Sequence, residues 1–268
     1  MAYSAIMNVM VNAVMKAGRS LKRDFAEAES LLVSRKGPGD FVSAADKKSE
    51  KILYEELSKA RPTYGFLMEE GGEIIGEDPT CRWIIDPLDG TTNFLHGIPA
   101  FAISVAVERQ GRLDAAVIFN PATDDLYTAE RGSGAFMNDR RMRVSGRVDL
   151  HDSVIATGIP HLGRGQHSLA LRELKHVMSE VSGIRRFGAA SLDLAWVAAG
   201  RFDAFWERDL NAWDMAAGIL LIKEAGGFVS DVNNRDKIFE SGSIVAGNET
   251  MHRNLVALLK RAKTPPRS

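Results

Sequence analysis

Apolar residues near the start of the chain recur at helical spacing: Ile6, Met10, Val14, Ala17 and Leu21 share one face, and Lys16, Arg19 and Lys22 enter later. The spacing predicts an amphipathic helix from about Tyr3 to Leu32, bent near Gly18 and packed on the body. Gly37, Pro38 and Gly39 then force a loop. Ser43 followed by Asp46 resembles an N-terminal cap, and a second helix is expected over about Ala45 to Ala60, ended by Arg61-Pro62. Tyr64 to Met68 reads as a short strand and Glu69-Glu70-Gly71-Gly72 as a loop. Cys81 to Ile85 is a strand expected to stop at Asp86-Pro87, because proline cannot continue a central ladder. Phe101 to Arg109 and Arg112 to Phe119 form a hairpin across Gln110-Gly111. Leu126 to Glu130 adds a strand, and Gly132 and Gly134 make a tight connection.

From Val144 the pattern changes. Strands are expected at Ser153–Thr157, Phe202–Trp206, Phe228–Val232 and Ile244–Ala246. Helices are expected at His167–Val181, at Ser191–Ala199 ended by Gly200, at Asp214–Ala225 ended by Gly226-Gly227, and at Met251–Arg261. The tail, Ala262 to Ser268, is expected to be disordered. A hairpin-rich first half and an alternating second half predict an α/β protein of two fused subdomains, 1–143 and 144–268, with a cleft between them.

Composition narrows the chemistry. The chain has 268 residues, 45% hydrophobic and 26% charged, enough for a large core. A net charge of −1 gives no reason to expect a nucleic-acid partner. One cysteine, Cys81, excludes an intramolecular disulfide and a cysteine metal cage, and fits a reducing cytoplasm. The six histidines form no His-x-x-x-His pair, so a metal here would be held by carboxylates. The apolar start is interrupted by Asn8 and Asn12 and lacks a preceding basic region, unlike a signal peptide, and no stretch is long enough to span a membrane.

The informative stretch is Trp83-Ile84-Ile85-Asp86-Pro87-Leu88-Asp89-Gly90-Thr91-Thr92-Asn93. An apolar strand delivers Asp86, and Pro87 and Gly90 set a turn. Two carboxylates three residues apart on a stiff turn can face one point, where their repulsion calls for a cation. Magnesium suits such oxygen ligands, and the N–H groups of Gly90 and Thr91 suit an anion such as phosphate. Turn chemistry alone would also explain both aspartates. Glu69-Glu70 after a strand, Asp214 in the first turn of an apolar helix and Asp46 at the start of the second helix add to the acidic set. Taken singly, Asp214 fits a helix dipole and Asp46 a helix cap. Together they lie where strands end and helices begin, where α/β proteins gather ligand sites.

These residues resemble the inositol monophosphatase family, within the lithium-sensitive, metal-dependent phosphatases. The matching motifs are Glu69-Glu70, the run from Trp83 to Phe94, and Trp213-Asp214 with the helix to Ala225-Gly226-Gly227. Their order and spacing agree over almost the whole chain. Lys36-Gly37 before Asp40-Phe41-Val42, together with Arg185-Arg186, resembles the bacterial extragenic-suppressor branch.

The resemblance implies a layered α-β-α-β-α sandwich of the sugar-phosphatase type. It implies two or three Mg²⁺ ions: Glu69, Asp86 and the Leu88 carbonyl on the first, Asp86, Asp89 and Asp214 on the second, and Glu69 shared with a third. It implies that Thr91 with Asp46 orients the attacking water, with Glu69 also in the catalytic set. Phosphate would rest on Gly90, Thr91 and Thr92, while Asp89 and Glu207 contact substrate hydroxyls and Ala190 lies in the pocket wall. A sugar-alcohol phosphate substrate, above all myo-inositol 1-phosphate, and a homodimer follow from the same likeness. One departure is Ala189, where relatives often carry Ser or Thr.

Rivals with the same chemistry are phosphatases of histidinol phosphate, fructose bisphosphate or a nucleotide 3′-phosphate. An aspartyl-phosphate mechanism of the haloacid dehalogenase type wants Asp-x-Asp, whereas Asp86 and Asp89 are three apart with Pro87 between them. A non-enzymatic alternative is a partner of the transcription and ribosomal-RNA machinery, RNA polymerase included, as in the bacterial branch. His96 is expected to be a surface or packing residue, Trp196 and Trp206 core, and Arg185-Arg186 a solvated or interface pair.

Overall fold

Along Ala102–Arg109, Ile103, Val105 and Val107 enter one hydrophobic core while Ala102 and Ala106 enter another. The next strand, Arg112–Asn120, does the same, with Ala115, Val117 and Phe119 on one side and Ala116 and Ile118 on the other. This two-residue period places a helical layer on each face of one sheet. The structure, a computed structural model, describes residues 3–26, 33–37, 40–161, 163 and 165–263.

The first half comprises α1 (Ala5–Phe25), a hairpin of β1 (Val33–Gly37) and β2 (Asp40–Ser43), α2 (Ala44–Ala60), β3 (Tyr64–Met68), β4 (Gly72–Ile74), β5 (Asp78–Asp89), α3 (Thr91–Leu95), β6 (Ala102–Arg109), β7 (Arg112–Asn120), β8 (Asp125–Glu130), β9 (Gly134–Met137) and β10 (Arg140–Arg141). The second comprises β11 (Val154–Thr157), α4 (His167–Met178), β12 (Gly183–Arg185), α5 (Ala190–Ala198), β13 (Ala204–Glu207), α6 (Ala212–Glu224), β14 (Phe228–Ser230), α7 (Ile238–Ser241), β15 (Ile244–Gly247) and α8 (Glu249–Lys263).

Eight strands form one sheet in the order β10-β9-β8-β7-β6-β5-β3-β4, and five form another in the order β12-β11-β13-β15-β14. Helices α1 and α2 cover the outer face of the large sheet, α5 and α6 fill the space between the sheets, and α4 and α8 cover the outer face of the small one. The result is the five-layer α-β-α-β-α sandwich. Because α6 lies between two sheets, Met215 through Ile222 are all buried, and it is apolar all round. Among the described residues no helix is long and apolar enough to cross a membrane.

Strand β5 corrects one expectation. It runs through Asp86-Pro87 to Asp89. Its pairing with β6 slips between Asp86↔Ser104 and Asp89↔Ala102, so one extra residue sits on β5. A bulge tolerates the missing proline N–H, and the Pro87 carbonyl accepts a hydrogen bond from Ser49 Oγ at 2.8 Å. Gly72 enters β4 rather than a loop, Gly37 ends β1, and β9, β10 and β12 are short strands with weak sequence patterns. Helix α1 ends at Phe25, residues 27–32 lie outside the described set, and Ala262 and Lys263 continue α8. Pro38, Gly39 and residues 264–268 are also outside it.

Gly18 lets α1 approach the large sheet. A Cβ there would lie 2.8 Å from Phe119 Cδ1 and closer still to Cε1, inside a ring that is 2% exposed. Gly18→Ala gains about 1 kcal/mol in helix propensity, yet overpacking costs about 1–3 kcal/mol. A lower urea midpoint is expected, and an equal or higher midpoint would refute this account.

Candidate active site

Four strand ends and three helix starts converge on one cleft. Strand β3 runs parallel to β5 with Met68 opposite Ile85, so Glu69 emerges beside Asp86, its N–H bonded to the Ile85 carbonyl at 3.3 Å. The β5 bulge turns Asp86 and Asp89 toward the same space. Ser104, the pairing partner of Asp86 on β6, donates to the Trp213 carbonyl at 3.3 Å and ties the start of α6 beside it. Asp214 then enters from the first turn of α6, with Oδ2 accepting the Asn211 N–H at 2.6 Å. Glu207 arrives from the end of β13.

Glu69, Asp86, Leu88, Asp89, Gly90, Thr91, Thr92, Ala190, Glu207 and Asp214 all line this cleft. Asp46 does not line it but sits behind Thr91, whose Oγ1 lies 3.4 Å from Asp46 Oδ2 and donates to the Leu88 carbonyl at 3.0 Å. Gly90 has φ +87°, and a Cβ there would press on the Ala100 carbonyl at 2.8 Å. Only glycine meets both conditions at the turn into α3.

Hydrogen bonds from neighbouring residues anchor Asp86 and Asp89. Asp86 is 1% exposed, and its Oδ1 accepts the Leu88 N–H at 3.0 Å. Asp89 Oδ2 accepts both the N–H and the hydroxyl of Ser191, at 2.7 and 2.6 Å. Burial, then repulsion from Glu69, Asp89, Asp214 and Asp46, pushes the Asp86 carboxyl well above the usual carboxylate range. Burial also raises Asp89, to about 6, against the hydrogen bonds from Ser191 and the Ala190 and Gly90 backbone that favour its charge. Glu207 is raised by burial and by the charges of Asp193, Asp214 and Asp89, with Arg186 opposing.

Among the described residues no three His, Cys, Asp or Glu side chains meet the spacing of a closed metal cage. The fit to a cation rests instead on the donors. They are carboxylates and one backbone carbonyl, without a thiolate, and that set suits a hard divalent ion. Ionising Asp86 amid four other acids would be costly without a positive charge at the site.

Several residues of the site carried little signal in the sequence. Ser191, at the first turn of α5, reads as an ordinary helix start until Asp89 is seen against it. Asn93 donates to the Ala100 and Phe187 carbonyls, both at 2.7 Å, and so joins α3 to the segment before α5. Arg186 is exposed at the cleft rim rather than merely solvated. Asp193 is buried on α5, with Oδ1 lacking a hydrogen-bond partner among the described residues. His96 is exposed and not among the lining residues, Trp206 is buried, and Trp196 packs edge-on against Phe187.

Residues 2–264 match the model of the inositol monophosphatase family. The chain is 65% identical over 265 residues to an inositol-1-monophosphatase of Mesorhizobium japonicum, covering 99% of this chain and 98% of that one. It is 44% identical to the Nus factor SuhB of Pseudomonas aeruginosa, covering 95% and 96%. The crystal structure of extragenic suppressor protein suhB from Bartonella henselae superposes with a TM-score of 0.94 at 64% identity, covering 96% and 99%. With the acidic cleft at the junction of its layers, the chain belongs to the inositol monophosphatase family of phosphatases.

Proposed function

We propose that the protein hydrolyses a small phosphate monoester, myo-inositol 1-phosphate above all, with Mg²⁺ as the metal. The observation that carries this reading is the arrangement of acids. Glu69, Asp86, Asp89 and Asp214 line one cleft, next to the Gly90-Thr91 turn and together with Glu207. Glu69, Asp86 and the Leu88 carbonyl would hold one ion and Asp86, Asp89 and Asp214 a second, with Glu69 available to a third. When bound, magnesium supplies Lewis-acid chemistry, making water nucleophilic at neutral pH and offsetting charge on the leaving oxygen.

The side chains do the positioning. Thr91, backed by Asp46, orients the attacking water. The N–H groups of Gly90 and Thr91, with Thr92, receive the phosphate. Asp89 and Glu207 take substrate hydroxyls, and Ala190 lies in the pocket wall. Residues 1–143 supply most of the metal ligands, and 144–268 complete the site. A cytoplasmic homodimer completes the proposal.

The test is phosphate release from myo-inositol 1-phosphate with and without Mg²⁺ and lithium, beside histidinol phosphate, fructose bisphosphate and nucleotide 3′-phosphates. Mg²⁺-dependent release that prefers the inositol ester is expected. Preference for another ester would overturn the substrate, and metal-independent release would overturn the metal assignment. Ser191→Ala is expected to lower kcat/KM about 10-fold and to raise the metal concentration needed, since it removes the side-chain hydroxyl donating to Asp89 Oδ2. Unchanged metal dependence would contradict that role.

A second reading is favoured by the relative named Nus factor SuhB. In it the protein also serves the transcription and ribosomal-RNA machinery. Complementation with Asp86→Asn separates the two roles: growth supported by an inactive protein requires the second.

A further inference from the structure

Gly158 and Glu207 meet at the ends of neighbouring parallel strands. Thr157 of β11 pairs with Trp206 of β13, so the next residue on each strand, Gly158 and Glu207, lie side by side at the cleft wall. A Cβ built on Gly158 would fall within the van der Waals envelope of Glu207 Oε1 and Cδ. The carboxylate therefore occupies the space in which any other residue's side chain would begin. The Thr157 hydroxyl donates to the Trp206 carbonyl at 2.8 Å and lies 3.1 Å from the Gly158 carbonyl, which pins the backbone at this junction.

Electrostatics do not hold the Glu207 carboxylate there. Asp193, Asp214 and Asp89 repel it, and Arg186 opposes them. The carboxylate packs against the Gly158 backbone, at a strand end tied by the Thr157 hydroxyl. The clash met by a side chain at 158 is with the movable end of Glu207 rather than with backbone. The least costly response is for Glu207 to swing away, leaving the fold intact.

We propose that Gly158 is a positioning residue for substrate selection: the bare Cα at 158 lets the Glu207 carboxylate stand where the hydroxyls of the alcohol moiety bind. The inference rests on the reading of Glu207 as a hydroxyl-binding group. It makes the strand junction, rather than the metal ligands, the place where preference among phosphate esters is set.

The test uses Gly158→Ala, Glu207→Ala and the double variant in the full chain. Gly158→Ala is expected to remain folded, with its melting temperature lowered by a few degrees. For myo-inositol 1-phosphate its kcat/KM should fall about 10- to 100-fold, mostly through KM, the scale of a lost hydrogen bond to a charged group. Phenyl phosphate, which offers no hydroxyl to Glu207, should show a several-fold smaller loss. In the Glu207→Ala background the alanine at 158 should cost neither stability nor further selectivity, because the group it displaces is gone. Additive losses in the double variant, or equal losses for both esters, would overturn the inference. The thermal part of the cycle needs no substrate. A wild-type protein without preference for the polyol ester would therefore refute the substrate reading and leave the coupling of Gly158 to Glu207 to be judged separately.

Discussion

Asp86→Asn should lower kcat/KM by about three orders of magnitude, roughly 4 kcal/mol of transition-state stabilisation, while the metal-free protein becomes more stable. Both effects follow from one environment. The side chain is 1% exposed and its Oδ1 accepts the Leu88 N–H, a bond that an amide oxygen can keep. The substitution thus preserves shape and anchoring and removes only charge. That charge is opposed in the folded chain by burial and by Glu69, Asp89, Asp214 and Asp46, so its removal relieves repulsion. The same charge is what a cation at this site requires, so turnover goes with it. Thermal unfolding in EDTA should show a higher melting temperature than wild type, and phosphate release should be lost. Near-normal turnover would remove Asp86 from the catalytic set. A lower melting temperature in EDTA would mean that its negative charge is compensated within the protein.

Much of this site was legible because its acids lie in local motifs whose chemistry does not depend on distant partners. Trp83 to Phe94 contains the strand, the turn and two of the carboxylates in one continuous run, and Glu69 and Asp214 occur at element ends that the apolar pattern locates. The path of the chain between Asp86 and Asp89 was harder to read. Proline argues against a central strand, and only the slipped pairing with β6 and the hydrogen bond from Ser49 to Pro87 show how a bulge accommodates it. The short strands β4, β9, β10 and β12 have few residues over which a two-residue period can repeat. Ser191 and Gly158 illustrate a different limit. Each acts on a partner far along the chain, Asp89 and Glu207 respectively, and nothing in a serine at a helix start or a glycine after a strand names that partner.

The stability that metal confers should grow with pH. Asp86, Asp89, Asp193 and Glu207 all have carboxyls raised by burial in the folded chain. An acid whose folded pKa lies above its unfolded value makes the native state bind more protons. Its contribution is fully present below the unfolded pKa and is lost as pH rises through the folded one. For Asp89, raised from 3.8 to about 6, the loss is on the order of 3 kcal/mol and falls between about pH 4 and 6. Asp86, Asp193 and Glu207 act in the same direction. His252 works in the opposite direction, because burial lowers its pKa and folding is penalised as it protonates on acidification. Glu56, Asp78 and Asp231, whose carboxyls are lowered, also oppose the decline, but their contribution is complete once pH exceeds the ordinary carboxylate range. In EDTA the melting temperature should therefore fall as pH rises from about 5 to 7, around the raised Asp89 carboxyl. A bound cation selects the ionised carboxylates, so its binding strengthens over the same interval. With saturating Mg²⁺ the decline should flatten, and the gap between the two melting temperatures should widen by several degrees, at about 2–4 °C per kcal/mol for a chain of this size. A gap that stays constant or narrows with pH would show that the raised carboxyls are not the groups to which the metal binds.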